Sequence, residues 1–440
     1  MTSEGKQPIV ILSLITALCL LGDSMLYIVL PVHFSEVGLT SLAQVGLLLS
    51  VNRLVRLPLS PFINWLYQKG DRKICLLGAV SLAVLTTASY GFLHSFWMWI
   101  IIRSLWGLVW GILRLGAYLT IVDIATDKNR GQLTGTYNGL YRLGSLFGML
   151  LGGWLADQFG MQFTALLFAV GTLCGIPYIL RVISTKPKLV ASDRSSNASP
   201  SSESSNTTKS PEAPVTYTQQ SADGMPDVKS IWKNRQMWFS LLTGALIAML
   251  FQGIFSGGVS QLLAYYYSEP LLLAGLTLGA ATLAGFLQAM RWIWEPWLAP
   301  WIGRVSDGKW GRRQLLWSSL FCTAICLFFI PIEKSLCWMI VVLLLVQLLA
   351  TALTTLSDTH ASDIAAIHSQ HKGTILTAYT MAVDLGAALG PLIGLSVIQL
   401  WSPLPLYWGA CLVIFLLSIT WYLTKEKRLD TSDHIKKTCR

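Results

Sequence analysis

Apolar residues run along this chain in blocks of about 20 or more, separated by short polar clusters. A helix of that length is about 30 Å long, the thickness of a bilayer's hydrocarbon core. The blocks predict twelve membrane-crossing helices, at 8–33, 41–66, 74–94, 96–122, 132–156, 161–183, 237–267, 271–302, 314–332, 335–357, 374–400 and 404–424. Several exceed 20 residues, which tilting accommodates. The first run is too long for a signal-peptide core and lacks a small-residue cleavage site, so it is read as a span.

Between the sixth and seventh spans the pattern changes. "SDRSSNASPSSESSNTTKSPEAP" is rich in Ser and Pro and too poor in apolar residues to offset the entropy of ordering. The chain therefore reads as a six-helix bundle over 1–183, a disordered cytoplasmic tether over 184–233, a second six-helix bundle over 234–425 and a basic cytoplasmic tail over 426–440. This is an all-α membrane protein of two pseudo-symmetric halves.

Composition agrees: 53% of residues are hydrophobic and 12% charged, against about 25% charged in a soluble domain. The net charge of +10 raises the question of nucleic acid, but its distribution answers it. Apart from Lys334 and six arginines within spans, every Lys and Arg falls on segments that alternate to one side. The positive-inside rule then puts both termini in the cytoplasm, as expected of a cytoplasmic (inner) membrane protein. The lipid bilayer is the implied partner, and no nucleic acid is. Asn197 and Asn206 match the glycosylation pattern, but that topology leaves them cytoplasmic. The eight cysteines show no metal-like spacing. With no phosphate-binding loop, cofactor signature or nucleophile–base spacing either, the expectation is no metal, no cofactor and no enzyme.

The halves repeat. A shift of 242 residues carries Gly131, Gly144, Gly148 and Gly152 onto Gly373, Gly386, Gly390 and Gly394, and Arg142 onto Asp384. A shift of 239 lays "SPFINWLYQ" over "APWIGRVSD" and places Arg56 on Glu295 and Asn52 on Arg291. Such symmetry marks secondary transporters, whose substrate site lies between the repeats near midplane. Charges within spans cost at least about 2.5–3.5 kcal/mol each at the bilayer centre and therefore face partners or a wet cavity. Here they are Asp23, Arg53, Arg56, Arg103, Arg114, Arg142, Arg291, Glu295 and Asp384.

With these features the chain resembles a twelve-span major facilitator, most closely of the drug:proton antiporter branch. The likeness covers both halves but not the tether or tails. Gly135, Gly144, Gly148, Gly152 and Gly153 are similar to the branch's antiporter motif, with Met149 where proline is usual; the second copy keeps Gly386, Gly390, Pro391 and Gly394. Such glycines let helices pack closely. "RSLWG" puts Arg103 four residues before Gly107, like the family's proton-relay arginine. Asp71, Arg72 and Lys73 resemble the gating motif, though Asn64 and Gln68 replace its glycine and aspartate, so the first gate is expected to lack its usual ion pair. Gly303, Asp307, Gly311, Arg312 and Arg313 form the better second copy.

The resemblance implies alternating access, with proton coupling through Asp23, Arg103, Glu295 and Asp384. The substrate cavity is expected at Tyr27, Arg53, Arg56, Arg114, Asn138, Arg142 and Arg291. In the family the helices bearing Arg142 and Asp384 face each other, so these two are expected to pair. Asp23 is a candidate proton carrier, or alternatively a fixed partner of Arg53 or Arg56. Trp106, Trp292 and Trp294 are candidates for a flat cavity wall, while His33 and His360 read as interface residues. The expected function is proton-coupled export, by a monomer, of an amphiphilic or anionic small molecule; a siderophore-like or organic-acid-like cargo fits the arginine surplus. Alternatives are a cationic multidrug exporter, an importer, or a non-transporting sensor on the same scaffold.

Overall fold

The computed structural model describes residues 7–124, 130–182, 235–267, 271–273, 276–308, 311–332, 335–367 and 372–424. The proposed tether and basic tail lie outside them. Among the described residues the architecture is helical apart from one short hairpin, and the helices make twelve passes in two pseudo-symmetric halves. In the first half these are α1 (Gln7–His33), α2 (Leu42–Leu54) continued by α3 (Arg56–Lys69), α4 (Arg72–Ser89), α5 (Phe96–Ile124) and α6 (Arg130–Leu173) with α7 (Ile176–Val182). In the second they are α8 (Arg235–Ala248), a π-helical stretch (Met249–Phe255) and α9 (Ser256–Tyr266), then α10 (Ala280–Ser306), α11 (Arg312–Phe329), α12 (Leu336–Ile367), α13 (Lys372–Leu400) and α14 (Pro403–Leu423).

Each interruption has a local cause. Pro58 cannot donate to the carbonyl of Leu54, and α2 gives way to α3 there. Gly160, at φ 80°, turns α6 back on itself and divides it into the fifth and sixth spans, a backbone conformation that favours glycine. Asp71 caps α4 by accepting from the Lys73 amide at 2.8 Å.

One expected span starts late. Residues 271–278 were expected to begin the eighth helix, but Leu271–Leu273 pairs antiparallel with Leu276–Leu278, in the register Leu271↔Leu278. Helix begins only after Gly279. The run is apolar throughout, but two glycines within five residues penalise helix there, and apolarity alone does not choose between helix and strand.

The halves share a core at one end and separate at the other. Met25, Leu30, Leu48 and Leu49 of the first half cluster with Ile254, Leu395, Ile398 and Leu406 of the second. At the opposite end Ile9, Leu76, Trp106 and Leu113 form a core of first-half residues, while Met237, Ala361, Ile364 and Tyr379 form one of second-half residues. The most extensive contacts between halves are those of α6 with α10 and of α13 with α2, and α1 packs on α9 as well.

Glycines set these approaches. A Cβ on Gly144 would lie 2.1 Å from the carbonyl oxygen of Ala17, and one on Gly386 would lie 2.1 Å from that of Ala245. Between halves, Gly153 meets Ala281 and Gly46 meets Pro391 at 2.4 and 2.6 Å by the same measure. Gly148, Gly152 and Gly390 also lie in tight contacts, whereas Gly394 makes ordinary ones. Gly135 is a correction: nothing lies within 4 Å of its added Cβ, so it is not a packing glycine.

Candidate functional site

A cavity of about 590 Å³ lies between the halves. Its wall takes Asp23 and Tyr27 from α1, Arg53 and Arg56 from the second pass, Trp110 and Arg114 from α5, and Tyr141 and Arg142 from α6. The second half contributes Gln252 from the π-helical stretch, Arg291, Trp292 and Glu295 from α10, Asp358 from α12, and Tyr379 and Asp384 from α13. Of the expected cavity residues all but Asn138 line it. Asn138 sits on α6 one turn before Arg142 and on much the same face, but lies outside the wall.

Arg103 lies behind the wall, completely buried, with Nη1 donating to Asp23 Oδ1 at 2.5 Å and Nε to the Leu48 carbonyl at 3.1 Å. Asn52 Nδ2 also donates to Asp23, at 3.1 Å. Asp23 is thus the partner of Arg103, and the expected pairing with Arg53 or Arg56 is corrected. The second half has a neutral counterpart: Gln347 donates to Gln288 at 2.6 Å, and Gln288 to the Phe255 carbonyl at 3.0 Å.

The expected pair of Arg142 and Asp384 does not form. Arg142 donates instead to Glu295, and its guanidinium lies 5.4 Å from the ring centre of Trp292. The reason is the crossing pattern: α6 runs beside α10, whereas α13 runs beside α2. Glu295 therefore comes to Arg142, and Asp384 comes within electrostatic reach of Arg53, Arg56 and Arg114. Among the described residues no hydrogen bond or ion pair holds Asp384. Arg53 makes two long contacts, both at 3.4 Å, to the Tyr27 hydroxyl and to Gln252 across the halves. Nε of Arg56 is buried without a hydrogen-bond partner among the described residues; so are Nε of Arg291 and Oε2 of Glu295, which form a long ion pair with each other at 3.9 Å.

Sequence reasoning missed Asp358, which accepts from the Tyr379 hydroxyl at 2.8 Å and faces the cavity. It stands one residue beyond the expected end of its span; the helix runs on to Ile367. Of the three tryptophans expected at the wall, only Trp292 reaches it. Trp106 is fully buried in the first-half core, and Trp294 donates to Thr351 at 3.3 Å. Trp110, unforeseen, stands under Arg56 with 5.5 Å from guanidinium carbon to ring centre.

At the closed end Asp157 of α6 accepts from Thr282 of α10, at 2.8 Å from the amide and 2.5 Å from the hydroxyl. His33 joins that carboxylate at 3.3 Å and Glu36 at 2.7 Å. Ala43 donates to Gln399 across the halves at 2.8 Å. His360 packs edge-on against the ring of Trp421. At the open end the second gating copy ties Arg312 to Asp307 at 2.5 Å and also to Asp363. The first copy departs from expectation. Gln68 supplies no charge, yet Arg72 pairs with Asp123 at 2.5 Å. Arg72–Asp123 and Arg312–Asp363 are related by one shift of 240 residues, a signal present in the sequence. Among the described residues no cluster of metal-ligating side chains occurs.

The family model of the Major Facilitator Superfamily matches residues 12–298 and 296–437. The multidrug resistance protein MdtG of Escherichia fergusonii is 23% identical over 415 residues, covering 91% of this chain and 90% of that protein. Among solved structures, a bacterial homolog of the human lysosomal transporter Spinster, inward-facing and unoccupied, superposes with a TM-score of 0.70 at 15% identity, covering 96% and 97% of the two chains. The nucleoside transporter NupG gives 0.67 at 14% identity, covering 96% and 100%. At these identities the structural likeness concerns the fold.

Proposed function

The chain belongs to the Major Facilitator Superfamily, and from that premise we propose that it is a proton-coupled exporter of amphiphilic or anionic small molecules. It is a multi-pass membrane protein; in this reading it lies in the cytoplasmic (inner) membrane as a monomer, both termini and the 184–233 tether cytoplasmic. With that orientation the open end of the cavity faces the cytoplasm and the Asp157–Thr282 contact closes the far side.

One observation carries the reading. A cavity closed at one end is walled by charged side chains from both halves, at the place where alternating access requires a site. Asp23, buried against Arg103 yet lining the cavity, is the proposed proton carrier, because rocking of the halves would change the access of that carboxylate to water on either side. The MdtG relative, named for multidrug resistance, supports export and breadth of cargo. Glu295, Asp358 and Asp384 are the places for a cationic group if the cargo is a cationic drug.

The test uses proteoliposomes loaded with a pH dye and challenged with a panel of anionic, neutral and cationic aromatic compounds. A proton flux driven by at least one compound, and lost in Asp23→Asn, is expected. Absence of both counterflow and proton flux with every compound would favour the sensor reading.

A further inference from the structure

The charges of the cavity do not balance. Asp23 is matched by Arg103 behind the wall, and Arg142 by Glu295. Arg53, Arg56 and Arg114, with Arg291 held only by a 3.9 Å approach to the same Glu295, then face the space against Asp358 and Asp384. In a region of low dielectric such a surplus of positive charge calls for an anion.

The repeat shows where. The shifts that superpose the halves carry Arg142 onto Asp384 and Glu295 onto Arg56. The Arg142–Glu295 contact therefore has a twin with its charges exchanged, Arg56 and Asp384. The first pair is closed. The second is open: the two residues lie within electrostatic reach, but no hydrogen bond or ion pair joins them among the described residues. The Nε–H of Arg56 is buried with no acceptor, an expensive condition that a ligand oxygen would relieve. Beside it Arg53 makes only long contacts, and Arg114 lies 5.9 Å from the ring centre of Tyr118.

We infer that Arg53, Arg56 and Arg114 form the seat of a single oxyanionic head group, with Trp110 as the flat wall for the apolar body behind it. Asp384 is the specificity residue. Its carboxylate repels the bound anion, limiting how tightly an acid is held and permitting its release. The inference rests on reading this cavity as the transport site, and it names the class of cargo: aromatic or otherwise apolar acids.

The experiment titrates the purified full-length protein with 2-naphthoate, 2-naphthamide and 2-naphthylmethylammonium, read by tryptophan quenching. Naphthoate should bind best. Arg56→Gln and, as a second variant, Arg114→Gln should each weaken it roughly tenfold or more, with native-like melting confirming the fold. Asp384→Asn should tighten naphthoate by a factor of roughly ten and leave the amide unchanged. Preference for the ammonium compound, no binding of naphthoate, or a weakening by Asp384→Asn would each overturn the assignment. Counterflow of the ammonium compound without naphthoate binding would overturn it while leaving transport intact. Anion binding without movement of any compound would instead remove the transport reading.

Discussion

Breaking the ion pair of Asp23 and Arg103 should be the most damaging single change in the cavity region. Arg103 is 0% exposed and the Asp23 side chain 9%. Asp23→Leu leaves a guanidinium with, among the described residues, no counter-ion and only the Leu48 carbonyl as acceptor. Removing one partner of a buried pair costs about 3–5 kcal/mol. For a unit the size of one six-helix half, each kcal/mol lowers the melting temperature by roughly 2–4 °C, so a fall on the order of 10 °C is expected. The double variant Asp23→Leu/Arg103→Met removes both charges and should regain most of the loss. What stays lost is the acceptor for Asn52, a penalty of about 1–3 kcal/mol. The assay is thermal unfolding of detergent-purified protein followed by intrinsic tryptophan fluorescence. The comparison is Asp384→Asn, which breaks no ion pair. If Asp23→Leu melts with Asp384→Asn, or if losses in the double variant simply add, the pair is not the buried contact described here.

Arg142 is 40% exposed and Glu295 16%, so their pair should be worth no more than about 1 kcal/mol. A double-mutant cycle of Arg142→Leu with Glu295→Leu should still show coupling, whereas Arg142→Leu with Asp384→Leu should give additive changes. Reporter fusions at Ser204 and near Arg440 should both give cytoplasmic signals; an external signal at either would reverse the orientation. Asp157→Ala removes the carboxylate that Thr282 donates to, and should make a cysteine placed at Tyr27 more reactive to an external thiol reagent. Unchanged labelling would show that the closed end is held by packing alone.

The number of passes was legible because twenty-residue apolarity is a requirement of the bilayer and needs no tertiary context. The cavity arginines were all legible for the same reason: a guanidinium in a span must face something. Partnership was not. The internal repeat identified Arg142 and Asp384 as equivalent positions, but equivalence under a twofold axis says that two residues have matching surroundings, and contact is a separate matter. Contact depended on which passes cross, α6 with α10 and α13 with α2. Asp358 escaped because hydropathy fades nearly three turns before the helix ends at Ile367. The π-helical stretch that turns Gln252 toward Arg53 has no composition of its own, so nothing in the sequence announced it.

The glycine contacts bear on how the molecule could be taken apart by mutation. Gly144 on Ala17 and Gly386 on Ala245 fasten neighbouring passes of the same half backbone to backbone, while Gly153 on Ala281 and Gly46 on Pro391 touch across the halves near the closed end. The first kind behaves as a weld and the second as a fulcrum. A methyl group added at a weld would separate passes that must travel together, and the protein would be expected to lose its fold. The same methyl at the fulcrum would wedge the closed end, giving a folded molecule biased toward the opposite face. Alanine at these four glycines therefore sorts them mechanically, into those that make each arm of the lever rigid and those on which it turns.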